Sequence, residues 1–485
     1  MNSVTETQYA KVPLGQKIAF GLGMLANQLF PAAVSIFMVV LVQDLGFDPM
    51  LWGIIFFVPR LFDAITDPIM GFISDNTKSK WGKRRQYVML GGLIMGVSFI
   101  FMWQLYAANG LTYNFWYFLI LSLVFYLGLT IFSIPYVAMG YEMSTDFHER
   151  TRLMAIAQWI GQWAWVLAPW IWVIIYDQTL FASAEAGTRE LSIYIGIVCT
   201  ILALVPAVFV KSKSTLDDTN LIPINAQNIG NSVVNIFVAF KDAYLNKPFR
   251  KLCIATFLIF NSFQTIAAFS FFIIVHYLFA GDAGAAGVWP TLHGSVGALI
   301  TTFIVIPTIT RMSEHFGKKK TFLISQAISI FGYILFWFLF VPGKPYLFLY
   351  ALPFFSFGIG GLFTLMMSMT ADVCDYEEYR NGLPRKEGIF GAVYWWMVKF
   401  GTAIAGLFTG FIMSYVGFNP DPQVISVFGH ILNPGTQTDE ALTGLRLAYT
   451  LIPITGTLLA IYVMRNYEID EEEANRIRLE ISKSK

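Results

Sequence analysis

Two aspartates four residues apart, in an otherwise apolar stretch, are the first residues that invite a chemical reading. Asp63 and Asp67 stand in Val58-Pro-Arg-Leu-Phe-Asp-Ala-Ile-Thr-Asp-Pro-Ile-Met-Gly71, with Arg60 three residues before the first acid. On a helix the i, i+4 spacing puts both carboxylates on one face, a turn apart, with Arg60 near that face. Such a pair can hold a small hard cation, because Na⁺ prefers oxygen ligands and carboxylates with nearby hydroxyls supply them. With no metal ion present, mutual repulsion and burial raise the proton affinity of at least one carboxylate. The pair therefore suits Na⁺ or H⁺. A plainer reading stands beside this one: Asp63 pairs with Arg60 as a structural ion pair, and Asp67, ahead of Pro68, serves a helix kink or bonds to the following loop. Lys399, in Tyr394-Trp-Trp-Met-Val-Lys-Phe-Gly-Thr402, is the third unusual charge. Its evident partners are Asp63 and Asp67. Such a contact either ties two parts of the chain together or couples cation, substrate and opening.

These charges matter because of what surrounds them. The chain has 485 residues, 56% hydrophobic and 13% charged, with 45 Phe, 22 Tyr and 13 Trp. A soluble globule carries about 25% charged residues, and the mean hydropathy of +0.59 says that the apolar surplus faces lipid. About 20 apolar residues of helix cross the hydrocarbon. Twelve such runs are expected, near 17–43, 50–75, 87–107, 113–140, 154–176, 191–211, 252–280, 288–310, 321–341, 346–370, 388–416 and 443–465. The first reads as a retained helix and not a signal peptide. Lys399 then lies about 18 Å into its run, near the midplane. Each charge at such depth costs about 2.5–3.5 kcal/mol on insertion scales, so a compensating partner is required.

The elements that position these residues form an all-α membrane protein of 12 transmembrane helices in two six-helix halves, with both termini cytoplasmic. That orientation places 27 of the 32 Lys and Arg residues on the cytoplasmic side, as short cytoplasmic loops demand. The N-terminal bundle is 1–211, a cytoplasmic linker containing Asp217, Asp218 and Asn220 is 212–251, the C-terminal bundle is 252–465, and a cytoplasmic tail is 466–485. The halves echo each other: Trp81-Gly82-Lys83-Arg84-Arg85 and Phe316-Gly317-Lys318-Lys319-Lys320 place their glycines 235 residues apart, and the same shift carries Glu142 onto Glu377. A repeat of six helices signals transporter architecture, with substrate between the halves. The helix paired with that of Asp63 and Asp67 has no acid within its span, which weighs against a mere packing role for the pair. The charges Asp75, Arg84, Glu142, Arg150, Arg152, Glu314, Asp375, Glu377 and Arg380 either form a cytoplasmic gate network or only enforce topology.

Several function classes drop out. A net charge of +1 argues against nucleic acid as a partner. Cys199, Cys253 and Cys374 make neither a disulfide framework nor a metal motif. No His/Cys metal cluster, nucleophile elbow or Gly-rich phosphate loop appears, so an enzyme is not expected. His293 reads as a packed or pore-lining polar group.

Asp63-Ala-Ile-Thr-Asp67-Pro-Ile-Met-Gly71 followed by Thr77-Lys-Ser-Lys-Trp-Gly-Lys83 resembles the signature of the glycoside-pentoside-hexuronide:cation symporters, the melibiose-permease-like branch of the major facilitator superfamily. Asp372-Val-Cys-Asp375-Tyr-Glu377 with Met397-Val-Lys399-Phe-Gly401 resembles its second signature. The resemblance implies a cation site of Asp63, Asp67 and Thr130, with Thr66 where some members have an asparagine important for Na⁺, and a coupling role for Lys399; Arg60, near the face of the two acids, is a second coupling candidate. The charged sugar clamp of melibiose permeases is absent, since Gln28, Ser133 and Gln158 stand at its positions. Neutral amides and hydroxyls still bond to sugar hydroxyls, and Gln162 joins these candidates. Trp159, Trp163 and Trp165, with Tyr394, Trp395 and Trp396, supply aromatic faces. Trp163 and Trp395 are the candidates for stacking on a sugar ring; the competing role is an interfacial belt.

The resemblance and the residues together imply symport of a sugar or glycoside with H⁺ or Na⁺ by alternating access. The alternative is a non-sugar or amphiphilic, lysolipid-like solute on the same fold. No cofactor beyond the coupling cation is expected. The partners are a small-molecule substrate and the bilayer, the location is a cell inner membrane, and the working unit is a monomer.

Overall fold

The computed structural model describes residues 12–144, 147–212, 214–216, 221–381, 387–419 and 437–484. Lys11, Lys213, Asp217, Asp218, Asn220, Arg385, Lys386 and Lys485, which enter the charge count or the linker above, lie outside the described residues. In chain order the helices are α1 (Leu14–Gln43), α2 (Pro49–Asp75), α3 (Arg85–Met102), α4 (Leu111–Glu142), α5 (Phe147–Leu167), α6 (Trp170–Ile175), α7 (Ala184–Phe209) and α8 (Ala226–Leu245). They continue as α9 (Lys247–Leu278), α10 (Ala283–Phe316), α11 (Lys318–Leu339), α12 (Pro345–Arg380), α13 (Glu387–Tyr415), α14 (Asp439–Met464) and α15 (Glu471–Ser484). No strand occurs among the described residues.

Eleven of these helices are long and apolar enough to cross a bilayer. The run expected at 154–176 is where the structure differs, because it is divided into α5 and α6. Pro169 lies at the break: it offers no N–H to the ladder and disfavours helical backbone in the residue before it. The first turn of α5 also carries His148, Glu149 and Arg150, so neither piece alone is both long and apolar.

The chain packs as two compact units. One comprises the described part of Met1–Ile36, Ile65–Ala168 and Thr188–Val233; the other comprises Phe37–Ala64, Pro169–Gly187 and the described part of Val234–Lys485. Helix α2 passes from the second unit to the first between Ala64 and Ile65. In the first unit α3 buries Val88, Gly91, Met95, Phe99 and Met102, a spacing of three and four that marks one helical face. That face lies along α4 so closely that a Cβ at Gly91 would run into the backbone of Phe132. Phe30, Phe99, Trp103, Phe118 and Phe125 interlock edge-on or tilted behind it.

The second unit repeats this device. Helix α11 lies along α12, and a Cβ at Gly332 would meet the backbone of Phe355 in the same way. Helix α9 packs against α13 and α14. Its start is fixed by Asn246, whose side chain accepts from the Phe249 amide at 3.0 Å, with Pro248 in the first turn. Single π turns at Ile273–Leu278, Thr301–Val305 and Leu362–Met366 widen α9, α10 and α12. Gly82 and Gly317, the pair 235 residues apart, have φ of +85° and +77°, a left-handed backbone that glycine adopts without strain.

Within the second unit, the first half of α2 meets α13 at Gly53 and Gly410. A Cβ on Gly410 would overlap the Pro49 carbonyl oxygen and meet Gly53 backbone atoms. Nothing there is flexible enough to yield. Gly410→Val should therefore destabilise the protein by about 1–3 kcal/mol, read as a lowered thermal unfolding midpoint in detergent. Gly391→Ala, whose Cβ would meet nothing within 4 Å, should leave the midpoint unchanged. Equal midpoints for the two variants would contradict this close approach.

Candidate functional site

Helix α2 carries the two acids because it tolerates them only where partners are supplied, and the partners differ. In the second unit Lys399 of α13 donates from Nζ to Asp63 Oδ2 at 2.7 Å. Asp63 is 5% exposed, so this ammonium compensates a carboxylate that water barely reaches. Arg60 donates to the Phe56 carbonyl at 3.0 Å and lays its guanidinium over the Phe56 ring, 3.4 Å from the centroid. That is a cation–π contact made by a half-buried guanidinium. The sequence offered Asp63 as a partner of Lys399, and the 2.7 Å contact joins them.

In the first unit Asp67 is met by a hydroxyl. The buried Thr130 of α4 donates from Oγ1 to Asp67 Oδ1 at 3.2 Å. Thr66 lies 3.1 Å from Thr130, hydroxyl to hydroxyl. With its own hydrogen turned to Asp67, Thr130 accepts from Thr66. A carboxylate and two hydroxyls, all oxygen, are the donor set of a hard monovalent cation, and also a short route for a proton. No group of three or more His, Cys, Asp or Glu residues suited to a metal ion occurs among the described residues.

Also in the first unit, Gln28 and Gln158 come together, Nε2 to Oε1, at 3.5 Å, and Trp165 donates from Nε1 to Gln28 Oε1 at 3.0 Å. The rings of Trp159 and Trp163 meet edge to face at 6.2 Å. An amide pair bonded to the Trp165 indole is a neutral, hydrogen-bonding surface. Ser133 and Gln162 are half-buried and make no side-chain hydrogen bond among the described residues. Trp395 belongs to the second unit, where it is 46% exposed and stands edge-on to Tyr394. His293 is buried in that unit, 3.0 Å from the Tyr449 hydroxyl and beside Phe336 and Phe348, so it is a packed polar group.

Some of the loop charges form definite pairs. Arg84 reaches Asp75 at 2.6 Å and Glu142 at 3.3 Å in the first unit. In the second, Lys318 reaches Asp372 at 2.6 Å and Asn246 donates to Glu377 at 2.7 Å. The sequence reading missed Glu149, which accepts from Lys17 at 2.7 Å and from the Val12 amide at 2.9 Å. Its only signal was an acid in the first turn of an otherwise apolar helix.

The Asp63–Lys399 pair yields a direct test. Breaking a fully buried pair costs about 3–5 kcal/mol; with 34% of the Lys399 side chain exposed, water screens part of it, and about 1–3 kcal/mol is expected for Lys399→Met. Asp63→Asn should cost less, and adding Asp63→Asn to Lys399→Met should recover part of the loss. Thermal midpoints of the four proteins measure this coupling, and strict additivity would show that the two groups do not interact.

The geometry sits on a recognisable scaffold. The family model described as MFS/sugar transport protein matches residues 19–471. The glucuronide carrier protein homolog of Escherichia coli strain K12 is 26% identical over 473 residues, covering 96% of this chain and 95% of the relative. The isoprimeverose transporter of Lactiplantibacillus pentosus is 23% identical, covering 95% and 90%. Among solved structures, the nucleoside transporter NupG superposes with a TM-score of 0.61 at 14% identity, covering 94% of this chain and 99% of that one. A bacterial homolog of the human lysosomal transporter Spinster, in an inward-facing and unoccupied conformation, gives 0.63 at 14% identity, covering 94% and 96%. These two likenesses bear on fold alone. The chain is a multi-pass membrane protein of the MFS/sugar transport protein family, a family of carriers and not of enzymes, in keeping with its resemblance to the glycoside-pentoside-hexuronide:cation symporters.

Proposed function

We propose that this chain is a secondary active symporter that carries a sugar or glycoside together with H⁺ or Na⁺, by alternating access, across a bacterial inner membrane with both its ends in the cytoplasm. The observation that carries the reading is the pair of acids on α2, one bonded to an ammonium and the other to the first of two linked threonine hydroxyls. Asp67, Thr130 and Thr66 are the cation ligands, with Asp63 joining them when Lys399 lets go. A cation arriving at the acids offers Asp63 a second positive partner, so the ammonium is no longer required there. The movement of α13 with Lys399 is then the physical link between cation binding and reorientation. Two six-helix bundles, 1–211 and 252–465, would supply the rocking parts.

The substrate side rests on Gln28, Gln158, Ser133 and Gln162, with Trp163 and Trp395 for stacking. Amides and hydroxyls without a charged clamp suit a neutral hydroxylated ring. The relatives, a glucuronide carrier homolog and an isoprimeverose transporter, favour a sugar over an amphiphilic solute. No further cofactor enters this scheme, and one chain suffices for it.

Proteoliposomes with an imposed pH or Na⁺ gradient, offered a panel of mono- and disaccharides, test the scheme. One sugar class should accumulate above equilibrium with one of the two gradients. Asp63→Asn and Asp67→Asn should each reduce uptake to equilibration while sugar exchange persists in part. Thr130→Val should weaken apparent cation affinity about tenfold, or ~1.4 kcal/mol, and Thr130→Ser should largely restore it. Accumulation by both aspartate variants would refute the cation site.

A further inference from the structure

The end of α1 carries an acid that the symport scheme does not use. Asp44 directly follows the last residue of α1, outside the spanning segment, and its Oδ2 accepts from the Tyr176 hydroxyl at 2.7 Å. Next to it, Gln43 Oε1 lies 2.7 Å from His276 Nε2 of α9. Aromatic rings bind the same elements together: Tyr176 stacks with Phe271 at 5.7 Å, Trp172 lies 5.1 Å from Phe271, and Trp52 meets Phe272 edge-on. All of these residues belong to the second unit, where segments from early in the chain pack against helices from its second half. If the carrier alternates, this packed cluster must separate.

We propose that Asp44 is a proton-binding residue of this cluster, holding a proton while α9 packs against Gln43 and Tyr176 and releasing it to solution when α9 withdraws and admits water to the carboxyl. This rests on the transport reading, because it needs a state in which the cluster opens. The bookkeeping is one proton: packing moves it from water onto the Asp44 carboxyl, whose other oxygen keeps the Tyr176 hydrogen bond, and opening returns it. It is separate from any proton carried by Asp63 and Asp67.

The surroundings support this. Asp44 keeps part of its surface, yet enough chain surrounds the carboxyl that burial pushes its pKa up to about 7 from the ordinary 3.8. The Tyr176 hydrogen bond opposes the rise, and the like charge of Glu185, at the start of α7, adds to it. No Lys or Arg pairs with Asp44 among the described residues. Two neighbouring acids are occupied in their own turns, Asp48 with the Met50 amide and Asp177 with Thr179. His276 is the other titratable group facing the cluster, and charging it would act in the opposite sense. The sign follows from linkage: a carboxyl with a raised pKa in the packed state favours packing fully below about pH 3.8, and that advantage fades as pH climbs to about 7. Acid closes this end and alkali loosens it.

The test places spin labels on Leu180 and Val288, both exposed and outside the cluster, with the three buried native cysteines replaced by serine, and reads the distance distribution in nanodiscs between pH 5 and 8. Wild type should gain a second, longer distance as pH rises, its ratio to the shorter growing at least about tenfold between pH 5 and 7. Asp44→Asn should keep the shorter distance at every pH. Tyr176→Phe removes the donor that favours the ionised form, so the midpoint should move to higher pH. A merely structural hydroxyl would instead lower the packed fraction equally at all pH values. Two distances whose ratio ignores pH, or a longer distance promoted by acid through His276, overturn the proton proposal and leave symport standing. A single distance at every pH, with or without sugar and Na⁺, overturns both.

Discussion

A carboxylate in hydrocarbon must be compensated, and on α2 two of them are. One is met by an ammonium from α13 at 2.7 Å, the other by the Thr130 hydroxyl of α4, which is itself bonded to Thr66. Insertion of each charge costs about 2.5–3.5 kcal/mol, so neither acid is tolerable without these partners. The rest of the molecule can be understood as the framework that delivers them. The Gly53 and Gly410 approach brings α13 against α2, and Gly91 brings α3 onto α4, which presents Thr130. Small residues act here as they do generally in membranes, by letting backbones come near enough for side chains elsewhere on the same helices to meet.

The two compensations have different chemical futures. A lysine is covalently fixed to α13, so whatever displaces it from Asp63 moves a helix or releases it to move. The hydroxyl on Asp67 leaves oxygen, and not a tethered charge, beside the carboxylate. In the proposed scheme these neighbouring turns would serve as receptor and lever. A carrier needs both, because coupling requires that occupancy by one solute alter the conformational equilibrium seen by the other.

Much of this was legible in the sequence because charge is rare where the chain is apolar. Asp63, Asp67 and Lys399 stand out against runs of Phe, Ile and Val, and the depth of Lys399 in its run demanded an acidic partner. The glycines 235 residues apart were legible for a similar reason, since turns after long helices need left-handed backbone, and both show positive φ. The division at Pro169 was less visible, because the apolar run continues through it and hydropathy does not register a missing N–H. Least visible were Asp44 with Tyr176 and Gln43 with His276, contacts spanning 132 and 233 residues. An acid just past a helix end reads as solvated, and only packing by distant chain reveals that it is not. Glu149 and Lys17 were hidden in the same way.

The central claim is that Asp63 and Asp67 accept a mobile cation. Charge displacement on a solid-supported membrane, recorded during a step in H⁺ or Na⁺ with no sugar present, tests it most directly. The account predicts a transient inward movement of positive charge for one of the two ions in the native protein, and none in a chain carrying both Asp63→Asn and Asp67→Asn. A transient of equal size in the doubly neutralised protein would contradict it.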